Sequence, residues 1–232
     1  NTVAAFRRAA EQAGGMLVPQ TDNPLDAVWP DQPAPPIAPI VAHDVAYAGK
    51  SSADKQAEIG ALLKRDGCDA VVLSAPDSIA WLLNIRGGDV PRAPMPLSFA
   101  IAHGDSTVDL FVDTRKLASG LGAHLGNGVS VNTEAAFPAA LAALKGKTVR
   151  VDPASAAAYI VDCLIEGGAT VSRGNDPCAL PKACKNAVEI SGTRAAHERD
   201  GAALTRFLAW FSEKAPTGTL RELEASDRLA GF

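Results

Sequence analysis
Between residues 51 and 172 the chain alternates between two hydrophobic periods. Ile59, Leu62 and Leu63 recur at helical spacing, which predicts a helix from Ser51 or Ser52, either of which can cap it, to about Arg65, with Gly67 placed to end it. Asp69–Ser74 carries the unbroken run Ala-Val-Val-Leu, the pattern of a strand buried on both faces. A helix opens at Pro76, carries Ile79, Trp81, Leu82 and Leu83, and ends near Asn84. Residues 85–96, crowded with Gly and Pro, read as a loop. Strands Leu97–His103 and Thr107–Val112 flank Gly104-Asp105, a tight hairpin signal. In the second of these, Val108, Leu110 and Val112 share one side, with Asp109 and Phe111 on the other. Asp113 can cap a helix near Thr114. Helices over about Glu134–Leu144 and Ala154–Glu166 then alternate with strands Lys147–Val151 and Ala169–Ser172. The order predicts an α/β fold with a mixed sheet flanked by helices.

The flanks follow other patterns. Residues 1–13 read as a helix with Val3, Phe6, Ala10 and Ala13 on one face, ended by Gly14-Gly15, and Met16–Val18 reads as a short strand. From Thr21 to Ile40, prolines between Pro24 and Pro39 argue against helix and central strand. Trp29, Leu25, Val28 and Ile37 within that stretch predict an ordered inter-domain connection, with Trp29 clamped against a neighbouring surface. At the other end, residues 186–214 read as one long helix with Leu204, Phe207, Leu208 and Phe211 on one face. Pro216-Thr217-Gly218 breaks it, and Thr219 to Glu222 has the form of a capping box opening a last helix.

Composition narrows the function classes. Hydrophobic residues make up 47% of the 232, enough for a substantial core, and aromatics only 5%. A net charge of −4 with no Lys/Arg block argues against nucleic acid as a partner. No apolar run approaches the ~18 residues of a membrane span, so no membrane association is expected. The first residues lack a signal-peptide core, and the start at Asn1, inside a helical pattern, reads as a fragment cut at its front. Cys68, Cys163, Cys178 and Cys184 form no CxxC pair, and no His near Cys178 and Cys184 completes a zinc knuckle. Reduced thiols in a cytoplasmic protein are the expectation.

Catalytic chemistry is not legible in the residues themselves. His43, His103, His124 and His197 show no HxxxH or HExxH spacing and read as surface or satisfied histidines. Ser74, Ser78 and Ser98 lack a GxSxG context, and Gly87-Gly88 belongs to no phosphate loop. Asp77, Asp89, Asp109 and Asp113 show no convergence toward a divalent cation and read as caps and turns. The densest polar cluster is Asn84, Arg86, Asp89 and Arg92, on a loop held between rigid elements. It has two readings: Arg86 and Asp89 pair and shape the turn, or the cluster meets a substrate or an interface.

The segment Asp77 to Val90 has the pattern D-x-I-A-W-L-x-N-x-R-G-x-D-V and leads through a Pro-rich turn into a strand. It resembles the middle domain of the three-domain Xaa-Pro aminopeptidases (aminopeptidase P). Asn23 to Pro36 resembles that family's end of domain one, with Gln32 where Arg is common. Tyr47 to Ile59 resembles its entry into domain two. Lys185 to Phe211, with K-N-x-x-E-I-x-G-x-R-x-A-H-x-x-D-G, resembles its first catalytic-domain helix.

The resemblance implies a creatinase N-terminal-like domain over 46–180. It is preceded by the end of domain one and its connection (1–45) and followed by the first helices of a truncated pita-bread catalytic domain (181–232). It implies a cytoplasmic, dimeric metallopeptidase that removes an N-terminal residue from short peptides with proline second. Two divalent ions, manganese as a rule, are held in that family by two Asp, one His and two Glu. None of those ligands carries over onto this chain, so the chain alone is expected to be inactive. Asn84, Arg86, Asp89 and Arg92 become candidates for a substrate wall or interface. Other readings are a non-catalytic binding module on the same fold, and a prolidase or creatine-hydrolysing relative.

Overall fold
The structure, a computed structural model, describes residues 2–20 and 22–232. Asn1 of the predicted first helix and Thr21, at the head of the proline-rich stretch, lie outside the described residues. The chain divides into two compact units: residues up to Val45 together with Lys50–Cys184, and Ala46–Gly49 together with Lys185–Phe232.

The first unit begins with helix α1 (Thr2–Gln12). Met16–Val18, expected as a strand, is exposed coil, because a strand persists only where a neighbour takes its backbone hydrogen bonds. The proline-rich stretch does contain a helix, α2 (Pro24–Val28). Pro24 stands at its first turn, where no N–H is needed, and Asn23 Oδ1 accepts from the Leu25 amide at 3.1 Å. Trp29 is not clamped: it is 49% exposed, and Leu25, Val28 and Ile37 are exposed as well. The residues read as loop from Ile85 also start differently. Strand β1 (Val41–Ala42) pairs antiparallel with β3 (Ile85–Arg86), and Ile85 is fully buried.

Beyond β1 come the short α3 (Val45–Ala48) and α4 (Ser52–Arg65), the latter capped by Ser51, whose Oγ accepts from the Asp54 amide. Next are β2 (Ala70–Leu73), α5 (Pro76–Leu83), β4 (Phe99–His103) and β5 (Val108–Phe111), all near their predicted places. A 3₁₀ turn over Thr114–Lys116, capped by Asp113, is followed by α6 (Leu121–Leu125) and β6 (Val129–Asn132). Neither α6 nor β6 is evident in the sequence, because only Val129 of β6 is buried and the strand shows no apolar run. The unit closes with α7 (Phe137–Ala142), β7 (Thr148–Val151), α8 (Ala158–Glu166), β8 (Thr170–Arg173) and α9 (Ala179–Ala183). Helix α8 starts later than Ala154 because Asp152 takes the Ala154 amide at 2.8 Å and holds a turn there.

Six strands form a mixed sheet in the order β6-β5-β4-β2-β7-β8, antiparallel between β2, β4 and β5 and parallel elsewhere. The central β2 divides two cores. Val71 and Leu73 pack with Ile59, Leu63, Ile79 and Leu83 of α4 and α5, and with Leu121 and Leu125 of α6. Ala70 and Val72 pack on the opposite face with Phe137, Leu141, Ile160 and Leu164 of α7 and α8. The predicted split of β5 follows this division, with Val108 and Leu110 in the first core and Phe111 in the second.

In the second unit, α10 (Ala187–Lys214) opens with a capping box in which Asn186 and Glu189 exchange hydrogen bonds. Asn186 Nδ2 also donates to the Ala48 carbonyl at 2.8 Å, so close to Gly49 that a Cβ there would stand 2.3 Å from Asn186 Oδ1. A 3₁₀ turn at Ala215–Thr217 leads to α11 (Glu222–Ala230). The expected capping box at Thr219 does not form. Arg221 takes the cap position without a side-chain bond, and the Thr219 hydroxyl meets that of Thr217 at 2.9 Å. Phe207 anchors an aromatic group with Trp210, Phe211 and Phe232, while Leu204 and Leu208 are exposed.

Candidate functional site: the loop after α5
Three polar residues of the segment Asp77 to Asp89, namely Asp77, Asn84 and Asp89, each hold a lysine from a distant part of the first unit. Asp77, in the first turn of α5, pairs with Lys182 of α9. Burial raises the Asp77 pKa, but the hydrogen bond and charge of Lys182 outweigh it and hold the carboxyl below its ordinary value. Asn84 accepts from Lys55 Nζ at 2.6 Å, and the same ammonium donates to the Trp81 carbonyl at 2.9 Å and lies 4.5 Å from the Trp81 ring centroid. Lys55 is only 2% exposed. Asp89 pairs with Lys116 Nζ at 2.9 Å, with the two side chains 0% and 4% exposed.

Asn84 is a hub rather than a reactive group. It ends α5 in the left-handed conformation (φ 49°, ψ 50°), which Asn tolerates better than most residues. Its Nδ2 donates to the Lys50 carbonyl at 2.8 Å. Its own carbonyl accepts from the His43 amide at 2.7 Å and from His124 Nε2 at 2.8 Å. Asp89 is equally committed: besides Lys116 it accepts from the Ala38 amide at 3.2 Å and the Leu97 amide at 2.8 Å. It therefore ties together the connection, the loop and the turn after β5. Gly87 is needed where it stands, because a Cβ would meet Pro96 Cα and N at 2.8 Å.

Arg86 is half-buried and donates to the carbonyls of Ala80 and Ile85. Arg92 is the exposed member of the cluster. It occupies the third position of a turn closed by the Ala93 amide on the Val90 carbonyl at 3.1 Å, with Pro91 before it and φ at 63°. That is the layout of a type II turn, which normally has Gly or Asn there. The four candidates thus lie along one loop, but two are buried anchors and the arginines alone reach solvent. Sequence reasoning missed Lys55, Lys116 and His124. A lysine on a predicted helix or turn reads as a solvated charge, and nothing local marks partners 26 to 29 residues away.

Other polar residues singled out in the sequence have local partners. His103 meets Asp109 across the hairpin at 2.9 Å, His197 bonds the Thr193 carbonyl, and Asp113 pairs with Arg115. The hydrogen bond from Arg115 holds the Asp113 carboxyl down at about 2. Burial, then the Asp176 charge, pushes the Cys178 thiol well up. Among the described residues no group of three or more His, Cys, Asp or Glu side chains is placed to hold a metal ion. Nor, among the described residues, is any helix long and apolar enough to cross a membrane.

Comparison with known proteins agrees with this architecture. A protein of Coccidioides posadasii named probable Xaa-Pro aminopeptidase P is 36% identical over 246 residues, covering 99% of this chain and 37% of its own length. A namesake from Aspergillus niger is 35% identical over 227 residues, covering 93% and 37% respectively. The X-prolyl aminopeptidase of Caenorhabditis elegans, described as a cytosolic enzyme with a di-nuclear active site, superposes with a TM-score of 0.87 at 27% identity, over 98% of this chain and 38% of that one. The chain spans a little over a third of the length of these relatives. Residues 31–189 match the family model described as the creatinase/prolidase N-terminal domain, and the chain belongs to that family.

Proposed function
We propose that this chain is part of an Xaa-Pro aminopeptidase, a metal-dependent enzyme that removes an N-terminal residue preceding proline. The observation that carries the reading is similarity over nearly the whole chain, at 36% identity, to a protein named for that activity. On this reading the chain divides into the end of domain one and its connection (1–45), the middle domain (46–180) and the opening helices of the catalytic domain (181–232). The complete enzyme is a cytoplasmic homodimer that takes short peptides with proline second and uses two divalent ions, manganese in the first instance. Residues outside these 232 hold the ions, and the chain alone is inactive.

Within that enzyme the loop after α5 serves as a wall or interface element. Asn84 and Asp89 fix its base, and Arg86 and Arg92 are the members able to meet a peptide or a second subunit. The test is Mn²⁺-dependent release of the first residue from an Xaa-Pro-Pro peptide. The complete protein is expected to turn over, to spare a peptide with alanine second, and to lose activity with a chelator. Equal cleavage of both peptides, or turnover by the 232-residue chain, overturns the reading. Arg92→Ala and Arg86→Ala are expected to raise KM or weaken dimerisation; unchanged kinetics and assembly remove the loop from this role.

A further inference from the structure
The turn between α6 and β6 carries Asn127-Gly128, and both residues are exposed. They occupy the central positions of a turn from Gly126 to Val129. It is closed only by the Val129 amide on the Gly126 carbonyl at 3.5 Å, longer than an ordinary hydrogen bond. Among the described residues, the Asn127 side chain makes no hydrogen bond and the Gly128 amide makes none. Gly128 is held through its carbonyl instead, which accepts from the Val108 amide at 2.9 Å. Its N–H is therefore left open to water.

An Asn side chain is electrophilic at Cγ, and the backbone nitrogen of the next residue can close a ring on it. Closure needs an N–H free to give up its proton and a next residue that does not crowd the approach, which Gly alone meets fully. This chemistry is one reason asparagine is thermolabile. The other described asparagines each fail a requirement. Asn23 precedes Pro24, which has no N–H. Asn84 is buried and followed by β-branched Ile85. Asn132 precedes β-branched Thr133, and its Nδ2 donates to the Ser130 carbonyl. Asn175 is exposed, but the Asp176 amide that would attack it donates to Asp152 Oδ2 at 2.8 Å. Asn186 Oδ1 accepts from the Val188 and Glu189 amides.

We propose that Asn127 is a site of spontaneous deamidation, through a succinimide formed with Gly128. The Gly128 nitrogen bonds to Asn127 Cγ, its proton passes through solvent to Nδ2, and ammonia leaves. Water then opens the imide. Breaking the N–Cγ bond gives aspartate, and breaking the bond from that nitrogen to the Asn127 carbonyl carbon gives isoaspartate. Water is consumed, ammonia is released, and nothing is oxidised or reduced. Either product adds a carboxylate to the cleft that Asn127 lines with Asp44 and His124. The extra main-chain atom of isoaspartate falls at the entry to β6, an edge strand that buries only Val129, so the sheet can absorb it. The site is independent of whatever the complete protein hydrolyses.

The experiment incubates the 232-residue chain for days at mildly alkaline pH, folded and in guanidinium chloride, and follows each asparagine by peptide mass spectrometry. Asn127 and Asn132 share a tryptic peptide, so fragmentation assigns the conversion and chromatography separates the isoaspartyl form. Asn127 is expected to convert fastest, at a folded rate within about threefold of its unfolded rate, while Asn175 slows about tenfold or more on folding. Gly128→Ala is expected to slow conversion at Asn127 about tenfold or more in both conditions. Its methyl stands 3.3 Å from Gln56 Oε1, and the denatured arm reads the same ring closure if that contact unsettles the fold. Slowing of Asn127 on folding as large as that of Asn175, faster conversion at another asparagine, or an unchanged rate in Gly128→Ala would overturn the proposal.

Discussion

Lys55 shows how a single residue ties the fold together. Its ammonium is out of water, and burial of a charge is tolerated only when hydrogen-bonded. The Trp81 carbonyl, the Trp81 ring and Asn84 Oδ1 supply that environment. Lys55→Met keeps the volume but takes a donor from both oxygens, so a loss of about 1–3 kcal/mol is expected in urea unfolding. A loss below the error of the measurement would show the contacts to be incidental. Gly87 makes a steric argument instead. Gly87→Ala must push Pro96 away from 2.8 Å contacts with backbone atoms, and an overpacking cost of about 1–3 kcal/mol is expected in the same assay. At this scale the sequence was half legible. Asn84 and Asp89 stood out as a polar cluster on a loop, and their burial did not. Nor did the sequence pair Asp89 with Lys116 rather than with its neighbour Arg86.

Among the elements, the strands and helices with strong periodicity fell where the pattern put them. Helices α4 and α5 and strands β2, β4, β5 and β7 are bounded by caps, a proline at the first turn or a hairpin, and their burial is unambiguous. Those that were missed lack such signals. Strand β3 is two residues long and exists because β1 pairs with it, and β6 buries one side chain. Short elements such as α2 depend on a cap, which Asn23 supplies within a stretch dominated by proline. The link between α5 and α9 gives a pH prediction. The Asp77 carboxyl is held below its ordinary value, so its contribution is present above the unfolded pKa, about 3.9, and fades as pH falls through the folded value. The gap in melting temperature between the chain and Asp77→Asn should therefore shrink as pH drops below about 4. A gap independent of pH would mean that Lys182 does not stabilise the charged form. At the other end of the chain, Asn186→Ala removes the capping box of α10 and should cost about 1 kcal/mol of helix stability, read by circular dichroism on heating.

For the whole molecule, the segment that identifies the family is also the segment that holds the first unit together. Asp77, Asn84 and Asp89 connect it to α9, α4 and the turn after β5, so its polar positions are framework positions. The chemistry of the relatives was not legible in this chain because the described residues contain no cluster of metal-ligating groups. What the sequence did carry was the domain, through spaced residues whose partners the fold then revealed. That framework role is tested most directly by equilibrium urea unfolding of the 232-residue chain carrying Asp89→Ala, alone and with Lys116→Met. The single substitution leaves a buried ammonium without its counter-charge and two amides without their acceptor, so a loss of about 3–5 kcal/mol is predicted, with a substantial part regained when the lysine is removed as well. Unfolding of Asp89→Ala at the same midpoint and slope as the unsubstituted chain would contradict it.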